Sequence, residues 1–136
     1  MPNTFWKAPA WQIPVRQADR VAMFRVPDRD ILSEEGWPES FWSRVETPIV
    51  LTGHAAAEVV QRFSDLESGE SARCHIPPWG LAMYDGAVLL FTVTLCFECF
   101  NAYVYTAQGK ELRAFDISEE NAVALLALLR ERLPLT

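Results

Sequence analysis

Four groups with thiol or imidazole chemistry fall in one stretch of this 136-residue chain: Cys74 and His75 side by side, then Cys96 and Cys99 within Leu95-Cys96-Phe97-Glu98-Cys99. Zinc takes about four nitrogen or sulfur ligands in a tetrahedron, and a Cys-x-x-Cys knuckle at a strand reversal supplies two of them. Cys74, His75, Cys96 and Cys99 are therefore a candidate metal set, with zinc as its ion. Adjacent residues of an extended segment point in opposite directions, so Cys74 and His75 reach one ion only if the backbone kinks before Pro77. The competing reading has no cofactor: the cysteines are buried and structural, as free cysteine commonly is, and His75 is hydrogen-bonded. A third reading makes one cysteine a nucleophile activated by His75, with Asn101 or Asp116 orienting the imidazole. Phe97, Phe100 and their aliphatic neighbours oppose it, because an apolar setting raises a thiol pKa. A zinc deaminase is excluded, since neither His54-Ala55-Ala56 nor His75-Ile76-Pro77 supplies the required His-x-Glu.

The elements that must position these groups form the clearest part of the chain. Asp85-Gly86 lies between two alternating apolar segments and signals a hairpin with a type I′ turn pairing Leu81–Tyr84 with Ala87–Cys96. Gln108-Gly109 marks a second reversal, between Ala102–Tyr105 and Glu111–Phe115. An uninterrupted strand from Ala87 to Tyr105 far exceeds the usual length of roughly five or six residues, so it must bend or break between Cys96 and Asn101. On a regular strand the sulfurs of Cys96 and Cys99 face opposite sides; in a turn they converge.

Upstream, Val21–Val26 and Thr47–Leu51 read as short strands. Pro38–Val45 reads as a short helix with Pro38 at its first position. Ala55, Val59, Val60, Phe63 and Leu66 recur at helical spacing, giving an amphipathic helix over His54–Leu66 that starts at Thr52 or Gly53. Asp116-Ile117-Ser118-Glu119 has the spacing of a capping box, followed by a helix over Glu119–Leu133 with Val123, Leu126, Leu129 and Leu133 on one face and Pro134 closing it. Residues 1–20 mix Trp6, Trp11, Pro9 and Pro14 without periodicity and read as an irregular aromatic arm. The expected fold is α+β in a single domain spanning 1–136: an antiparallel sheet with a C-terminal four-stranded meander and two helices packed on one face.

Composition bounds the function. Half the residues are apolar, enough for a core without disulfide staples. The net charge of −6 and the absence of any basic run argue against nucleic acid and anionic membranes as partners. No stretch has the form of a secretory signal or a membrane-spanning helix, so the expected location is the cytoplasm. Three cysteines leave at least one unpaired in a monomer, which fits a reducing compartment better than a disulfide framework.

The string Arg73-Cys74-His75-Ile76-Pro77, then Gly80-Leu81, then Leu95-Cys96-Phe97-Glu98-Cys99 and Asn101, resembles a pattern in small uncharacterised bacterial proteins, over about the last half of the chain. The resemblance implies a bacterial origin and a shared meander, and no activity. Members of that group often carry asparagine directly after the second cysteine, where this chain places Phe100 before Asn101.

Glu34, Glu35, Trp37, Glu39 and Trp42 bring acids and large aromatics together in a segment rich in turn formers. Tryptophan on loops supplies large contact area at small entropic loss, so these five residues are the candidate partner-binding face. The competing reading has the tryptophans folding under the arm to cover the sheet. His54 and Arg73 read as surface residues, and Glu119-Glu120 as a complement to the positive end of the last helix. These features lead to the expectation of a non-enzymatic protein-binding module, a bacterial immunity or antitoxin-type inhibitor that blocks a toxin. The alternative is a small zinc-stabilised domain.

Overall fold

The structure is a computed structural model that describes residues 17–26, 48–70, 72, 77–106 and 109–134. Six strands form one antiparallel sheet: β1 (Arg20–Arg25), β2 (Ile49–Thr52), β3 (Trp79–Asp85), β4 (Val88–Cys96), β5 (Asn101–Thr106) and β6 (Gly109–Ala114). Their order is β2-β1-β3-β4-β5-β6, so the last four are a meander of sequential neighbours and β1 bridges it to β2. Two helices, α1 (Gly53–Ser64) and α2 (Glu120–Arg132), complete an α+β fold.

The register assigns the two faces. Met23 pairs with Leu81, Leu81 with Val93 and Val93 with Val104, so this apolar row points to one side. Val21, Met83 and Phe91 form a second row beside it. All are buried in one cluster with Ala56, Val59, Val60 and Phe63 of α1 and Ala122, Leu125 and Leu129 of α2, which places both helices on this face. Removing such a side chain from water contributes roughly 1.5–3 kcal/mol each, which is what holds two short helices in place.

Over the central strands the opposite face is buried as well, with different chemistry, while Val50 and Leu112 at its edges are exposed. Thr92, Thr94, Cys96, Asn101 and Tyr105 lie there with Ala22, Phe24 and Ala82, all at most 5% exposed. Thr94 hydrogen-bonds Tyr105, while burial pushes the Tyr105 phenol above its ordinary pKa. Gly80 pairs with Phe24, and a Cβ at Gly80 would lie 2.4 Å from two atoms of the Phe24 ring, so only glycine leaves room for that ring.

Three local expectations are refined. The β3–β4 loop is Gly86-Ala87, closed by the Asp85–Val88 pair, and Gly86 alone has positive φ, at 59°. That matches a II′ turn, which puts glycine first, and not the expected I′ turn centred on Asp85-Gly86. Asp19 reinforces it by accepting from the Gly86 amide at 2.9 Å. The Asp116 box does not cap α2: Glu119 is the N-cap, its carboxylate accepting from the amides of Asn121 and Ala122 at 3.0 Å each, while Asp116 accepts from the Ser118 amide and hydroxyl. The buried stripe of α2 is Ala122, Leu125 and Leu129, continued by Leu133, and Val123 points to solvent at 54% exposed. The expected Pro38–Val45 helix, the 1–16 part of the arm and the 107–108 reversal lie outside the described residues.

Candidate functional site

The long hydrophobic run breaks where strand length requires it. Residues 97–100 form a tight turn between β4 and β5, with Phe100 in the left-handed region at φ 60° and Cys96 paired to Asn101 across the base. Two further connections meet this turn at the same end of the sheet. Ala72, in the α1–β3 connection, donates its amide to Cys99 O at 2.9 Å, and its own carbonyl accepts from Asn101 Nδ2 at 3.4 Å. Phe115, at the end of β6, donates to Phe100 O at 3.0 Å, and Asp116 donates to Glu67 O at 3.0 Å.

This stitching gathers acids. Glu67, Glu70, Glu98 and Asp116 stand on the three joined connections, all are exposed, and none makes an ion pair among the described residues. The Ser118 hydroxyl, and then its backbone amide, hold the Asp116 carboxyl below its ordinary pKa. Nearby, Arg62 donates to Asn121 Oδ1 at 3.1 Å and lies 3.7 Å from Glu120, tying α1 to the start of α2.

Beside this acidic rim, a cavity of about 500 Å³ opens where β3, the β4–β5 turn and the end of α2 converge. Trp79, Phe97, Leu126 and two prolines, Pro78 and Pro134, give it an apolar lining, and Glu98 and Arg130 bring one charge of each sign. The lining is fixed in place. The Trp79 indole N–H donates to Leu133 O at 2.9 Å, and Arg25 donates through Nε and Nη2 to Pro134 O at 3.3 and 3.1 Å. Edge-on ring contacts run from Trp79 to Phe97 at 6.2 Å and from Phe97 to Phe115 at 5.4 Å. Neither the cleft nor the rim is announced by a motif. The signals available in sequence were the break forced on an overlong strand and the isolated Glu98 within it.

The cysteines divide. Cys96 is free and buried, and part of the residue lines the cleft, whereas Cys99, one turn on, is disulfide-bonded. A disulfide sulfur offers no thiolate to a metal, so ligation through Cys99 requires its reduction first. Cys74 and His75 lie outside the described residues, as does Arg73. Among the described residues no three His, Cys, Asp or Glu side chains are grouped to hold a metal ion. The proposed acidic aromatic face, Glu34, Glu35, Trp37, Glu39 and Trp42, also lies outside them. His54 is exposed at the start of α1. No described helix is long and apolar enough to cross a membrane.

Comparison with protein-family models, with curated proteins and with solved structures finds no match to this chain.

Proposed function

We propose that this chain is a non-enzymatic protein-binding module of the bacterial immunity or antitoxin type, which blocks a toxin in the cytoplasm by covering its active site. The observation that carries this reading is the acidic rim: Glu67, Glu70, Glu98 and Asp116 are exposed and held together by backbone hydrogen bonds between three connections. Like charges gathered on joined connections attract a surface of opposite sign and raise the rate of encounter with it. A toxin that acts on nucleic acid presents such a basic surface, because it must neutralise phosphates. The cleft adjoining the rim supplies what a charged surface lacks, a preformed apolar recess for one anchoring side chain. Glu34, Glu35, Trp37, Glu39 and Trp42 would extend the same chemistry of acid and aromatic contact.

The test is growth rescue. The product of the gene beside this one is expressed in bacteria alone, with this chain, and with a variant carrying Glu67→Lys, Glu70→Lys and Asp116→Lys. Arrest by the neighbour, relief by this chain and weaker relief by the variant support the proposal. Arrest that this chain leaves unrelieved, or a neighbour without toxicity, counts against it.

A further inference from the structure

We propose that the cleft beside the acidic rim is a binding site for a small zwitterion with an apolar body, that is, a free amino acid with an aromatic or branched side chain. Its volume of about 500 Å³ lies within the roughly 300–1,000 Å³ range of small-molecule sites. The apolar lining is preformed. Trp79 is locked by its bond to Leu133 O, Phe97 is braced edge-on between Trp79 and Phe115, and Arg25 holds the carbonyl of Pro134 at the wall. An aromatic or branched side chain therefore enters a recess that has no need to collapse or reorder around it, which lowers the entropic cost of binding.

Two charges at this recess are uncommitted. Arg130 and Glu98 are exposed, both line the cleft, and neither has an ion-pair or side-chain hydrogen-bond partner among the described residues. A guanidinium presents a planar fork that matches a carboxylate in two parallel hydrogen bonds, and a carboxylate accepts from an ammonium. Arg130 thus takes the ligand carboxylate and Glu98 its ammonium, with the side chain against Trp79, Phe97 and Leu126. The site discriminates by charge from both directions: Glu98 repels a simple carboxylic acid, and Arg130 repels a simple amine. The site needs no protein partner, although it uses the same recess that the toxin-inhibitor reading assigns to an anchoring side chain, so ligand binding and toxin inhibition are tested separately.

Three probes that share one ring separate the charges: L-phenylalanine, 3-phenylpropionate and 2-phenylethylamine. Each is titrated into the full-length chain while the Trp79 indole N–H resonance is followed by NMR, its assignment made from Trp79→Phe. Phenylalanine is expected to give saturable shifts at Trp79 with an affinity roughly tenfold above either analogue, the scale of one charge-assisted contact at a half-exposed site. Arg130→Gln is expected to erase its advantage over phenylethylamine, and Glu98→Gln its advantage over phenylpropionate. Both substitutions sit at exposed positions, so each variant keeps the fold. Equal binding of phenylalanine and one analogue, or no saturable shift at Trp79 with any probe, overturns the assignment.

Discussion

Across the central strands β1, β3 and β4, the two faces of the sheet are both buried and are built from different materials. On the helix side, Leu81, Met83, Val93 and Val104 are at most 1% exposed and belong to one hydrophobic cluster, with Arg113 the buried charged residue at its β6 edge. On the other side, Thr94 and Asn101 are equally buried, at 0% and 1%, but bring a hydroxyl and an amide with them. A purely apolar face depends on packed volume, since dispersion and hydrophobic burial are non-directional. A polar buried face depends on having each donor and acceptor met, because an unmet one costs about 1–3 kcal/mol. The first tolerates exchange of one hydrocarbon for another, while the second is specified atom by atom.

The largest expected effect lies on the helix face. Leu81→Ala should destabilise the protein by about 2–5 kcal/mol through lost burial and the residual cavity, read from the denaturant midpoint. On the opposite face Gly80→Ala should cost about 1–3 kcal/mol, because the new methyl meets the Phe24 ring in a layer with no free space. Gly80→Ala without measurable loss in the same titration would show that the second face is loosely filled and would dissolve the claim of equal packing. Thr94→Val sharpens the chemical contrast. It keeps the shape and removes the hydrogen bond to Tyr105, so a loss of about 1 kcal/mol is expected, whereas an apolar face would gain from the same change.

The smallest effect is a dependence on pH. Burial raises the folded-state pKa of Tyr105, so the folded protein holds the phenolic proton more tightly than the unfolded chain. The stability this contributes is fully present below the ordinary tyrosine pKa and is lost as pH rises through the folded value. Thermal unfolding followed across the alkaline range should therefore fall less steeply for Tyr105→Phe than for the unaltered chain.

Much of this contrast was legible in the residues, and the reasons for the misses are physical. The alternation of Leu81, Met83, Phe91 and Val93 with Ala82, Thr92 and Thr94 announces β3 and β4 and sorts their two sides, because strand side chains alternate by geometry alone. The helical spacing of Val59, Val60 and Phe63 identifies α1 for the same kind of reason. In α2 the observed stripe differs from the expected one, since Val123 and Leu125 are both apolar in sequence and only the docking angle decides that Leu125 goes inward. Asp116 and Glu119 both suit a cap; the turn that Asp116 makes with Ser118 leaves the role to Glu119. The acidic rim was not legible at all, because Glu67, Glu98 and Asp116 are far apart along the chain and are joined only by tertiary hydrogen bonds. The cysteine cluster shows the reverse. Adjacency in sequence suggested one shared site, and the fold gives Cys96 and Cys99 different states. Three cysteines do leave one thiol free, that of Cys96.

Calorimetric titration with the purified neighbouring gene product tests the proposed protein-binding role of the acidic rim. A stoichiometric complex whose affinity falls as salt is raised is expected, with a weaker, less salt-sensitive complex for the variant with Glu67, Glu70 and Asp116 changed to lysine. No complex, or a complex whose affinity and salt dependence are the same for both chains, would contradict it.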